Sequence, residues 1–236
     1  MSLGGTLAKR MLALSAACVA WTCGALASPV TYTFTATGQI TGTLGGIAIG
    51  GTNQLLTFTF TGDTADVLSF AAPVNGHEIL VGTGTVTATD LTTHAVVAQG
   101  TFAGADGIFV SIDNVNGGVG FGSGGVPPSS GSFPGQPAYP LGFFNDPSLF
   151  TYDLLSNISL AGSNDALSCF GFPTVCNSPV ALATSSGDLI LGAAGNVFDL
   201  VDDGTFTAVL TPEPAALALL GVGVAGIGLT RRRRAG

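Results

Sequence analysis

The two histidines of this chain, His77 and His94, flank a strand-like run, and Glu78 stands beside the first. Two imidazoles and a carboxylate are enough to hold a catalytic metal with an open position. Their spacing matches no metal motif, so the expectation is a pair of exposed turn histidines and no metal site. Other chemistries find no better footing. There is no Gly-x-Ser-x-Gly elbow and no His-Glu-x-x-His, and no Lys lies between residues 28 and 214 to form a Schiff base or a Ser–Lys dyad. Gly-x-Gly-x-x-Gly occurs at Gly120, Gly122 and Gly125 and again at Gly221, Gly223 and Gly226. Neither match joins a strand to a helix, as a dinucleotide site requires. Asp63 with Asp66, or Asp202 with Asp203, could act as acid and base. Acids in turns more commonly close the turn itself. The chain is therefore expected not to be an enzyme.

Oxygen-rich loops favour calcium, and Asp106, Asp113, Asn114 and Asn116 cluster in "ADGIFVSIDNVNGG". Val115 interrupts the spacing of an EF-hand, so structural calcium is the single cofactor considered and none is assigned. Asn157-Ile158-Ser159 forms a glycosylation sequon. Cys169 and Cys176, in "CFGFPTVC", are expected to form a disulfide in an exported compartment, with Gly171 and Pro173 allowing the turn.

Charge separates the chain into three parts. All fourteen Asp and Glu lie between residues 28 and 214, and all six Lys and Arg lie outside that stretch. So acidic a middle repels phosphate backbones, which excludes nucleic acid as a partner. The start, "MSLGGTLAKRMLALSAACVAWTCGALASPV", has Lys9 and Arg10, an apolar run and then Ala25-Leu26-Ala27. That is the pattern of a secretory signal peptide, 1–27, cleaved ahead of Ser28. It implies the Sec machinery and signal peptidase as partners.

The elements that must carry these residues are strands. In 31–44 and 55–62, Tyr32, Phe34, Phe58 and Phe60 alternate with threonines. Alternation of that kind marks strands buried on one face. Further strands are predicted at 66–71, 78–90, 94–103, 107–112, 150–160, 188–191 and 205–210. Twenty-four Thr fall within 28–211, and Thr suits a solvated pleated face. No stretch of the middle has the period of a long amphipathic helix. The fold class expected for 28–211 is all-β, an antiparallel sandwich or jelly-roll-like domain. The Gly-, Ser- and Pro-rich stretch 116–140 reads as a long, mobile surface loop with no strand pairing.

The end of the chain is different again. Ala215 to Thr230 would be about 24 Å long as a helix, just short of the usual membrane span. Arg231, Arg232, Arg233 and Arg234 follow as a positive-inside signal. Pro212, Glu213 and Pro214 keep the junction extended. "PEPAALALLGVGVAGIGLTRRRR" closely resembles the PEP-CTERM sorting domain, in which a Pro-Glu-Pro motif precedes a short apolar helix and an Arg cluster. The Val that often precedes that motif is replaced by Thr211. The resemblance covers about the last 25 residues. It implies handling by a membrane-embedded exosortase in bacteria that export polysaccharide, and it implies nothing about enzymatic activity.

Together these features predict an exported protein. A short transmembrane helix at 215–230 would anchor it transiently before delivery to the cell envelope, the surface or the medium. Its expected role is a structural or matrix-associated component, with extracellular polysaccharide as a further partner. The alternative is a carbohydrate-binding or adhesive module using Phe133, Tyr139, Phe143 and Phe144.

Overall fold

The computed structural model describes residues 27–38, 40–70, 75–102, 108–115, 117–123, 139–165, 181–193 and 201–211. Every strand pairing among them is antiparallel. Numbered along the chain, the fifteen strands of the described residues form three sheets. The six-stranded sheet holds, in spatial order, β12 (Ile158–Asp165), β15 (Val201–Leu210), β1 (Pro29–Thr37), β4 (Gln54–Asp63), β7 (Gly82–Asp90) and β8 (Val96–Thr101). The five-stranded sheet runs β11 (Tyr139–Asn145), β10 (Gly118–Ser123), β9 (Ile108–Asp113), β6 (Gly76–Ile79), β5 (Val67–Phe70). The third contains β13 (Ala181–Thr184), β14 (Gly187–Ala193), β2 (Ile40–Leu44) and β3 (Ile47–Gly50). Short 3-10 turns occupy Thr64–Asp66 and Pro147–Thr151. The all-β, antiparallel expectation holds.

The alternation in β1 explains the core. Val30, Tyr32, Phe34 and Ala36 are buried, and the threonines between them are not. β4 repeats this with Leu56, Phe58 and Phe60, and β15 with Phe206 and Ala208. In register, Phe34 lies directly between Phe206 and Phe58. The facing layer comes from β10. The Phe121 ring lies 6.0 Å from Phe34 and 6.3 Å from Phe206, the latter edge-on, within the range of favourable aromatic pairs.

Phe121 falls inside the stretch that the sequence presents as a loop, and here the structure corrects the expectation. Residues 118–123 pair with β9 on one side and β11 on the other. Val119 and Phe121 are buried, and Gly120 between them is partly exposed. Gly122 serves close packing, because a Cβ there would run into the ring of Phe109. Glycine composition reads as flexibility, whereas at this position it makes room for an aromatic ring. Residues 124–138 lie outside the described residues.

Three other boundaries change. The run 31–44 is two strands in different sheets, broken at Gly38 with φ of 143°. The run 78–90 is likewise β6 and β7, in different sheets. In 150–160 only the last residues are strand. Pro147 opens a 3-10 turn capped by Asp146, and Leu154 has a φ of 64°, which no strand allows.

The third sheet is two inserted hairpins. β2–β3 leaves between β1 and β4, β13–β14 between β12 and β15, and β14 pairs with β2. This sheet meets the edge strand β8. Phe102 bridges Thr184, the Ser185 N–H donates to Thr101 O at 2.8 Å, and the Ser186 hydroxyl donates to Gln99 O at 2.6 Å. An edge otherwise open to other chains is partly closed.

Phe121→Ala is expected to destabilise the domain by about 3–5 kcal/mol, the usual cost of emptying a buried aromatic position. A loop residue would lose less than about 0.5 kcal/mol. Urea unfolding followed by fluorescence or circular dichroism separates the two.

Candidate sorting junction

Ser28 and Thr211 lie side by side at the same end of two adjacent strands of the six-stranded sheet. Val30 pairs with Leu210, and the Thr211 N–H donates to Pro29 O at 2.8 Å. Proline lacks the amide hydrogen that would continue a ladder. Pro29 therefore bounds this ladder at its start in β1, and the Pro212 that follows Thr211 has no N–H to extend it. Ser28 is held in turn by Thr64. The Ser28 N–H donates to the Thr64 hydroxyl at 2.9 Å, and the Thr64 N–H donates to Ser28 O at 3.0 Å. Cleavage after Ala27 would turn the Ser28 nitrogen into an ammonium that can still donate to the same oxygen.

A connecting segment, residues 146–157, secures this strand end from the side. It joins β11 of one sheet to β12 of the other. Asp146 opens it, accepting from the Ser148 N–H at 2.8 Å and the Ser148 hydroxyl at 2.6 Å. Those bonds hold its carboxyl below the usual range, the hydroxyl contributing most. Asn114 directs both amide hydrogens to backbone carbonyls, Leu149 O and Tyr152 O, each at 2.8 Å. The buried Tyr32 hydroxyl donates to Leu154 O at 2.6 Å, which helps fix the positive-φ residue in place. Burial raises the phenol pKa of Tyr32 well above its usual range, with smaller contributions from Tyr152 and Asp153. Asn157 then reaches β15, its Oδ1 accepting from the Leu210 N–H at 2.6 Å.

The residues singled out for chemistry do not converge. His77 lies in β6 rather than in a turn, with Nδ1 3.0 Å from the Ser69 hydroxyl. His94 is exposed in the β7–β8 turn. Glu78 is fully buried in β6, in register with Ser111 and Leu68. Among the described residues there is no group of three or more His, Cys, Asp or Glu able to hold a metal. Of the four suggested calcium residues, Asp113 accepts from the Val115 N–H and Asn114 clamps the connecting segment. Asp106 and Asn116 lie outside the described residues, as do Cys169, Cys176, Ala25, Phe133, Pro212, Glu213, Pro214 and Arg231 to Arg234. Phe144 is buried in the core, which removes it from any surface aromatic site. Sequence reasoning saw in Asn157 only a sequon and missed its bond to Leu210. The legible signal was the pair of prolines, 29 and 212, placed at the ends of two alternating runs.

The chain from the end of β15 onward carries the identifying signal. Residues 210–234 match the PEP-CTERM protein-sorting motif. The match begins at Leu210, the final residue of β15, so address and fold meet without a linker. A PEP-CTERM motif marks an exported protein recognised by an exosortase membrane enzyme and sorted towards the cell surface. It covers a small part of the chain and says nothing about the strands. No curated protein and no solved structure gives a significant match to the chain.

Tyr32→Phe should leave the buried Leu154 carbonyl without its donor and lower stability by about 1–3 kcal/mol. Urea midpoints of the two proteins, compared at equal m-value, check this.

Proposed function

We propose that residues 28–211 form a β-sandwich that is the delivered product, and that both chain ends serve its delivery. A signal peptide leads it out through the Sec pathway and is removed ahead of Ser28. The short apolar tail and its arginines then halt it in the membrane until an exosortase-type enzyme acts at Pro212-Glu213-Pro214. The product is a non-catalytic structural component of the envelope or of extracellular polymer.

The observation that carries this reading is the pairing of β1 with β15. Signal peptide and tail are both expected to enter one membrane from the same side. A domain tethered to one membrane at both ends is unstrained when its first and last strands finish together, and here Ser28 and Thr211 do so. The tail can also be removed without loss to the sheet, because β15 is complete at Leu210. Support for a non-catalytic role comes from where the acids go. Asp63, Asp90, Asp113, Asp146 and Asp153 each accept a backbone N–H two residues on and close a turn. Asp90 also accepts from the Thr93 N–H and hydroxyl, and those bonds lower its pKa.

Intact mass of the protein from envelope and medium fractions of its native host tests this directly. The expected species begins at Ser28 and ends near Pro212 to Pro214. A mass that keeps Arg231 to Arg234 in every fraction would show a permanent anchor instead.

A further inference from the structure

The solvent side of the six-stranded sheet carries its side chains in register from edge to edge. Ser159, Thr207, Thr33, Thr59, Thr85 and Thr101 are direct cross-strand neighbours in that order, one on each strand. A parallel row two residues away runs Thr205, Thr35, Thr57, Thr87. With strands about 4.8 Å apart, the first row is a line of six hydroxyls about 24 Å long. None of these side chains is buried. Within the second row the Thr35 and Thr205 hydroxyls lie 2.7 Å apart.

Threonine pairs stabilise sheets, and that alone would explain a few of them. The uniformity asks for more. Neither row holds a charged residue, whereas a solvated face ordinarily mixes charges of both signs. We infer that this face docks a single extended strand of a neutral polysaccharide, laid across the β-strands along the row from Ser159 to Thr101. The inference rests on the proposed delivery of the domain into extracellular polymer.

Chemistry selects the occupant. Each Thr offers one donor, two acceptors and a methyl group, at a spacing on the scale of one sugar unit. A neutral glycan presents the same mixture of hydroxyls and C–H faces, repeated. Anionic polymers are repelled by a domain that holds thirteen Asp and Glu and no Lys or Arg. A rigid crystal face fits poorly, because each strand pair turns by about 20–25° and only a flexible chain can follow six strands. A second copy laid face to face would shut every hydroxyl of both sheets away from water, while a single glycan strand keeps its outer side solvated. Individually weak contacts become effective by repetition along one chain.

Affinity electrophoresis of the full chain in mild detergent supplies the test, in gels containing hydroxyethyl cellulose, dextran or alginate. The variant T33V/T59V/T85V/T207V removes four hydroxyls and keeps β-branched shape, with circular dichroism reporting its fold. T41V/T43V, in the third sheet, is the control. The inference expects retardation in at least one neutral gel and none in alginate. It also expects at least a ten-fold rise in dissociation constant for the quadruple variant and no change for the control. It is overturned if neither neutral gel retards the protein, if alginate does so equally, or if the folded quadruple variant binds as well. Sedimentation showing self-association that the quadruple variant abolishes would also overturn it, making the face a contact between copies. The intact-mass result is independent, so glycan binding can fail while sorting stands, and the reverse.

Discussion

β1 and β15 pair residue by residue from Val30 with Leu210 to Thr37 with Asp203. This ladder joins the two ends of the domain, and most of the structure follows from it. It sets Phe206 beside Phe34, so that Phe121 can close over both. It places β15 inside the sheet, between β12 and β1, where a terminal strand cannot peel from an edge. It also brings Ser28 and Thr211 to one end of the ladder. Contacts this distant in sequence are slow to form. β15 is also the last of the six strands in chain order, so the six-stranded sheet cannot be completed until the chain is made almost to its sorting motif.

Much of this was legible because threonine and aromatic residues alternate so regularly. Tyr32, Phe34, Phe58 and Phe60 were identifiable as core from period alone, and β4 and β15 follow within a few residues. What failed has a common physical origin. Gly in 118–123 looks like a loop when its neighbour across the strands cannot be seen, and Phe109 is that neighbour for Gly122. Likewise, no local pattern shows that a continuous apolar run changes sheet at Gly38 or after Ile79. Those breaks depend on which partner strand is adjacent, which period cannot report.

The junction was half legible. Pro212-Glu213-Pro214 and the arginines are local signals, and local signals survive in a single sequence. The bonds that finish the fold just before them span far greater distances, from Asn157 to Leu210 and from Tyr32 to Leu154. Asn114, attractive as a cation ligand, proved to be a clamp because its partners, Leu149 and Tyr152, lie more than thirty residues away. Polar residues that appear idle in a sequence can be committed to distant backbone.

The claim at the centre is that folded domain and address are separable, with the Pro-Glu-Pro motif needed for delivery and not for folding. Replacing Pro212, Glu213 and Pro214 by Ala and following the protein by fractionation and limited proteolysis in the native host tests it most directly. The account predicts a protease-resistant domain of unchanged stability that remains with the inner membrane and keeps its arginines. Delivery of the variant at the rate of the unaltered protein would contradict it, as would a domain that no longer resists protease.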